Sequence, residues 1–140
     1  DTAVEAMEWV QTIEAGNLSL LRKQLTAFFA SIPYTMRRKE NERERERYFH
    51  YTFYLIFRLM STYTILTEKR QSEGRADCII ETPAAVFIFE FKLDGTADEA
   101  LRQIEEKGYA RPYAADKRPV RKIGVVFSSQ TGTIEEWKEA

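Results

Sequence analysis

The run Ala85-Val86-Phe87-Ile88-Phe89-Glu90-Phe91-Lys92 constrains the fold more than any other stretch of the chain. Its β-branched and aromatic residues read as a strand, along which side chains alternate between two faces. Phe87, Phe89 and Phe91 share one face and are expected in the core. Val86, Ile88, Glu90 and Lys92 share the other, so a carboxylate and an amine project together from an otherwise apolar ribbon, near the strand's end.

The segments before this strand begin as helices. Good helix formers run from residue 2 to 14, and Gly16 closes that segment. Asn17 is a suitable N-cap for a second helix, in which Leu18, Leu21, Leu25, Phe28, Phe29 and Ile32 fall on one face until Pro33 stops it. Residues 35–41 form a polar connector. A third helix over residues 43–61 carries Phe49, Phe53, Ile56, Phe57 and Met60 as its apolar stripe. At 100° per residue, Glu46 falls within the width of that stripe and His50 at its edge, while Glu44 points away. Glu46 is thus the glutamate of this helix expected to face the interior.

From residue 62 the pattern changes to strands. Residues 62–68 are the first, 69–74 a polar turn, Arg75–Glu81 the second and 85–93 the third, with Pro83 in the tight turn between the last two. Thr96 opens a helix, with Glu99 completing a capping box and Gly108 as its stop; Ala97, Ala100, Leu101 and Ile104 are its buried stripe. Val120–Phe127 is a fourth strand, and residues 133–138 are expected to form a short terminal helix. A helix between the third and fourth strands implies a right-handed crossover and a parallel pair. The predicted fold is α/β: a mixed β-sheet with αβββαβ order, flanked by helices. Residues 1–40 are read as an N-terminal helical segment and connector, and 41–140 as the core.

At 140 residues, 44% hydrophobic and 31% charged, the chain has the size and composition of one globular domain rather than of a disordered tail. Its longest apolar run, around residues 51–60, is interrupted by Arg58 and falls short of the ~18 residues of a membrane span, so no membrane partner is expected. Nothing marks secretion. The lone Cys78 excludes a disulfide framework and a cysteine-based zinc site, which makes the reducing cytoplasm the expected compartment. The chain starts at Asp1 rather than methionine and is read as a piece of a longer one. Lys+Arg 21 against Asp+Glu 22 leaves a net charge of −1, so any contact with a phosphate backbone must be local. The candidate patch runs from Arg37 and Arg38 to Arg47, with basic residues interleaved with glutamates; a solvated hinge or helix end accounts for the same pattern.

The strand Arg75–Glu81 supplies a partner for Glu90. With Pro83 and Ala84 as the central turn residues, Thr82 pairs with Ala85; counting outward, Ile79 faces Ile88 and Asp77 faces Glu90. Directly opposed residues have Cβ atoms about 4.5–5.5 Å apart. Two carboxylates at that distance repel each other and weaken the hairpin unless a positive group lies between them. A divalent cation meets that need, and oxygen ligands on a semi-rigid frame suit Mg²⁺ or Mn²⁺. Lys92 places an ammonium beside an attacking water or a negatively charged transition state. The plainer alternative is a Glu90–Lys92 salt bridge on a solvated sheet face, with Asp77 merely ending a turn. That alternative gives no reason for a carboxylate one hairpin earlier, or for the helix–strand order around both.

Asp77, twelve intervening residues, then Glu90-Phe91-Lys92 resembles the signature of the PD-(D/E)XK nuclease superfamily, and the predicted order of elements is similar to that superfamily's restriction-endonuclease-like core. More narrowly, Gly74-Arg75-Ala76-Asp77, Phe89-Glu90-Phe91-Lys92-Leu93, Gln103-Ile104-Glu105-Glu106-Lys107-Gly108-Tyr109 and Lys122-Ile123-Gly124-Val125-Val126-Phe127 resemble a bacterial group in which the nuclease-like domain follows an AAA-ATPase-like domain. The likeness runs from about Asn17 to Trp137. It implies that Asp77 and Glu90 bind the metal together with the backbone carbonyl of Phe91, and that Lys92 positions the nucleophile. It also implies that Glu46 corresponds to the acidic residue of the superfamily's first helix. Gln103 resembles the glutamine of the RecB-like subgroup, although Tyr109 follows it by six residues rather than four. Ala76 stands where the superfamily's name has proline. No Gly-x-x-x-x-Gly-Lys-Ser/Thr loop occurs here, so the ATPase likeness concerns a segment N-terminal to this one.

The expected function is therefore a Mg²⁺- or Mn²⁺-dependent phosphodiesterase acting on DNA, with RNA or branched DNA as alternative substrates. Asp77 and Glu90 hold the metal, Lys92 activates water, Glu46 assists and Gln103 orients the site. Arg37, Arg38, Lys69 and Arg75 contact phosphates. The competing reading is a catalytically silent nuclease-fold module that docks nucleic acid or an ATPase-like neighbour; the near-zero net charge favours it and the opposed carboxylates disfavour it. A homodimeric junction resolvase differs from the first reading only in substrate and assembly. His50 reads as a core histidine ahead of a catalytic one, and Cys78 as an inert core residue on the Phe87/Phe89 side. Tyr109 and Tyr113 read equally as base-stacking groups and as buried anchors.

Overall fold

A computed structural model of the chain describes residues 2–32, 43–44, 47–48, 64–65, 69–70 and 75–140. Helix α1 spans Thr2–Glu14 and α2 spans Leu18–Ser31, as their periodicity predicts. The Asn17 side chain accepts a hydrogen bond from the Leu20 backbone N–H at 3.1 Å, which satisfies one of the donors a helix start leaves open. Leu18, Leu21, Leu25 and Phe29 form the buried face of α2.

Strands β1 (Thr64–Ile65) and β2 (Lys69–Arg70) both pair with β3 (Arg75–Glu81). Strand β4 (Val86–Leu93) follows, then helix α3 (Ala97–Lys107), a 3₁₀ turn at Arg111–Tyr113, β5 (Val120–Phe127) and β6 (Ile134–Glu139). The sheet runs in the order β1-β3-β4-β5-β6, with β2 also against β3. Only β4 and β5 pair in parallel among the described strands, as a helical crossover between them requires.

Helices cover both faces of the sheet. On one face Phe87, Phe89, Phe91, Cys78, Ile123, Val125 and Phe127 pack with Trp9, Leu21, Leu25 and Phe29 of α1 and α2. On the other, Ile79, Val86 and Ile88 pack against Ile104 of α3, with Leu101, Tyr109 and Tyr113 half-buried around them. The alternation along β4 thus assigns its residues to faces as expected, and Cys78 lies on the Phe87/Phe89 side.

Two expectations are corrected. Residues 133–138 are not a helix: Ile134–Glu139 form an antiparallel strand against β5. Val125 pairs with Trp137, Val126 with Glu136 and Phe127 with Ile134, so Glu135 is an extra residue in a β-bulge. The bulge brings Ile134 and Trp137 to one face, both against the larger core. Their three-residue spacing imitates a helical stripe. Lys69 and Arg70, expected in a turn, are instead strand residues opposite Ala76 and Arg75. Polar residues are well tolerated where a strand flanks a sheet, and composition there says little about pairing.

Of the helix expected over 43–61, Arg43, Glu44, Arg47 and Tyr48 are helical, and Glu44 is exposed as expected. The remainder, including Glu46 and His50, lies outside the described residues, as does most of 62–68. Tyr48, absent from the expected stripe, is buried against Phe127 and donates a hydrogen bond to the Gly132 carbonyl at 3.3 Å. Among the described residues no helix is long and apolar enough to cross a membrane.

Candidate active site

The hairpin turn sets the geometry. Thr82 and Ala85 close it through a backbone bond at 2.9 Å, and the Thr82 hydroxyl both donates to the Ala85 carbonyl and accepts from its N–H. From this turn the register runs outward as predicted: Ile79 faces Ile88, and Asp77 faces Glu90. Both carboxylates lie on the face covered by α3, and both are buried, at 2% and 4% exposure. Two like charges about 5 Å apart at an effective dielectric of about 20 repel by about 3 kcal/mol. Burial and these two carboxylates also push the Cys78 thiol far above its ordinary range, so it stays protonated.

Lys92 lies two residues beyond Glu90, on the same face and nearer to solvent. Its Nζ is 3.7 Å from Oε2 of Glu99 on α3. Gln103 follows Glu99 by one turn and is half-buried on the same helix. The other neighbour of Glu90 is Gly124 of β5, its parallel partner. A Cβ on Gly124 would lie 2.6 Å from the Ala97 carbonyl, so α3 approaches the sheet closely at this point. Sequence reasoning passed over Gly124, although a lone glycine within a strand is a signal of close approach.

Asp77, Glu90 and Lys92 are therefore placed at one end of one sheet face, with Gln103 on the helix that covers it. Phe91, whose carbonyl is the third expected ligand, is buried in the opposite layer through its ring. The backbone register places Arg75 opposite Lys92 and Lys69 opposite Ala76. Arg37, Arg38 and Glu46 lie outside the described residues. Among the described residues no group of three His, Cys, Asp or Glu side chains gathers into a metal cage. The donor set is the opposed carboxylate pair, whose hard oxygens and like charge fit Mg²⁺ or Mn²⁺. Tyr109 and Tyr113 pack as half-buried anchors beside Ile104.

The family model of the PD-(D/E)XK nuclease superfamily matches residues 44–137, which include the hairpin, the crossover helix and both parallel strands. The chain belongs to this superfamily. Its mixed sheet, with a helical crossover between the parallel β4 and β5 and helices on both faces, is that of a restriction-endonuclease-like fold. The chain is also 34% identical over 122 residues to a protein of Azotobacter chroococcum mcd 1 described as an uncharacterized protein in the vnfD 5' region. That match covers 86% of the chain and 23% of the relative, so the chain spans about a quarter of that protein's length. No solved structure matches it. The superfamily is one of nucleases, which generally use divalent metals on nucleic-acid substrates.

Proposed function

We propose that the chain is a metal-dependent nuclease domain that hydrolyses phosphodiester bonds in DNA. The observation that carries this reading is the register that opposes Asp77 to Glu90 and leaves Lys92 two residues further on the same face. Asp77 and Glu90 are the residues that would hold Mg²⁺ or Mn²⁺, with the Phe91 carbonyl as a third ligand. When bound, the ion supplies Lewis acidity and charge stabilisation at the phosphoryl group. Lys92 orients the attacking water and its ammonium offsets developing negative charge. Gln103 hydrogen-bonds within the site from α3, and Glu46 assists from the preceding helix. Arg37, Arg38, Lys69 and Arg75 meet phosphates and make affinity salt-dependent. We also read the domain as acting in a reducing cytoplasm beside an AAA-ATPase-like neighbour.

The test is incubation of plasmid, branched DNA and RNA with the protein and Mg²⁺ or Mn²⁺. Cleavage of DNA that is lost in Asp77→Ala and Lys92→Ala is the expected result; cleavage retained in either variant overturns the assignment. The net charge of −1 favours a second reading, a docking module that keeps the fold without turnover. Calorimetric titration separates the two: Mn²⁺ binding that disappears in Glu90→Gln supports a working site, and absence of binding in the unmodified chain supports the module. Solution mass with a four-way junction tests the homodimeric resolvase variant.

A further inference from the structure

We infer that Glu99 is a positioning residue for Lys92, holding the lysine where its stem runs over Gly95. The inference rests on the nuclease reading above and extends it to a residue that the superfamily signature does not contain.

The loop between β4 and α3 is short and tightly held. Asp94 takes a left-handed φ of 59°, and Gly95 follows at φ 94°. The Asp94 N–H donates to the Phe127 carbonyl at 2.8 Å, and the Asp94 side chain accepts from the Ser129 N–H at 3.0 Å. The loop is thereby tied to the end of β5. Thr96 then caps α3, its hydroxyl oxygen accepting from the Glu99 N–H at 3.1 Å. The Thr96 hydroxyl also bonds Oε1 of Glu99 at 3.1 Å, which turns Oε2 toward Lys92. One carboxylate thus joins the helix cap to the amine.

The lysine's aliphatic stem runs over Gly95. A Cβ on Gly95 would lie 2.5 Å from Lys92 Cε, 3.3 Å from its Cδ and 3.4 Å from Glu99 Oε2. The φ of 94° by itself favours glycine there, and its bare backbone leaves the stem room to pass. A long amine otherwise samples many rotamers, and the contact with Glu99 restricts it on the sheet face that carries Asp77 and Glu90. Lys92 itself would be the catalytic residue; Glu99 acts through it.

Two measurements test this. Amine acylation of the metal-free protein, resolved by peptide mass spectrometry, reads the tether without turnover. Lys92 is expected to react about two- to fivefold faster in Glu99→Gln than in wild type, the range that an exposed ion pair supports. Glu99→Asp, which keeps the charge, is expected to give a smaller rise. Equal Lys92 reactivity in wild type and Glu99→Gln overturns the inference. In DNA cleavage, Glu99→Gln should lower kcat by about the same two- to fivefold with KM unchanged, with partial recovery in Glu99→Asp. A change confined to KM overturns the positioning role. If the wild-type protein cleaves no DNA with either metal, the nuclease reading fails, while the acylation comparison still decides whether Glu99 holds Lys92.

Discussion

Glu90 and Gly124 stand side by side across the parallel ladder of β4 and β5, and the bare backbone at Gly124 lets α3 settle over that part of the sheet. A Cβ there would meet the Ala97 carbonyl oxygen at 2.6 Å and the Ala100 Cβ at 3.1 Å. The first obstacle is backbone, so it cannot rotate aside as a long side chain would. Gly124→Ala is therefore expected to destabilise the domain by about 1–3 kcal/mol, the usual range for an overpacked core, as read from urea denaturation. It should also slow cleavage, because Glu99 and Gln103 move with the helix. Wild-type stability in this variant would falsify the close contact.

Metal binding to opposed carboxylates should appear as stability. An ion that binds only the folded chain stabilises it by about 2.7 kcal/mol at one hundred times its Kd. Thermal melts with increasing Mn²⁺ should rise accordingly in wild type. In Asp77→Asn and Glu90→Gln the rise should vanish, since each removes one of the two negative charges that draw the cation. A melting temperature that still climbs in both variants places the ion elsewhere.

The site's geometry is legible in sequence because two local patterns agree. Pro83 marks a short turn, and the alternation of Phe87, Phe89 and Phe91 gives β4 one register in which all three are buried. A one-residue slip would carry Glu90 to the phenylalanine face. What escapes a linear reading depends on contacts between distant segments. Tyr48 is buried through Phe127 and a carbonyl at Gly132, and nothing in its own helix's stripe announces that. The last strand is hidden for a different reason. Its bulge at Glu135 breaks the two-residue alternation, so Ile134 and Trp137 carry helical spacing in a sequence rich in helix formers. Gly124 did carry a signal: an isolated glycine amid Ile123, Val125 and Val126.

At the other end of the hairpin, Arg118 clasps its own loop to the end of β3. It donates to Asp116 Oδ1 at 3.0 Å and Oδ2 at 2.6 Å, to the Thr82 carbonyl at 3.0 Å and to Glu81 Oε1 at 2.8 Å. Its side-chain hydrogen bonds hold the Asp116 carboxyl well below the usual range, at about 2. A carboxyl depressed on folding contributes stability that is fully present above its unfolded value, near 3.8, and is lost as pH falls toward 2. Asp116→Asn should therefore melt below wild type at neutral pH, with the gap closing between about pH 4 and 2. A gap that stays constant through that interval would show that the carboxylate's charge is not what the clasp uses.

The strand assignment of residues 134–139 can be tested at Glu136. Opposite Val126 on β6, this side chain accepts a hydrogen bond from the Ala97 N–H at 3.0 Å, one of the donors that the start of α3 leaves open. Its negative charge also lies at the positive end of that helix. Lost caps of this kind cost about 0.5–2 kcal/mol, whereas a glutamate on the outer face of a terminal helix would change stability by less than about 0.5 kcal/mol. Glu136→Ala is expected to cost about 1 kcal/mol in urea denaturation, with Glu136→Gln, whose amide oxygen still accepts the bond, recovering part of it. Glu135→Ala, at the exposed bulge, serves as the comparison and should fall within about 0.5 kcal/mol of wild type. Equal effects at the two positions would remove the distinction that strand pairing imposes, since only pairing against Val126 aims one glutamate at α3 and leaves its neighbour in water.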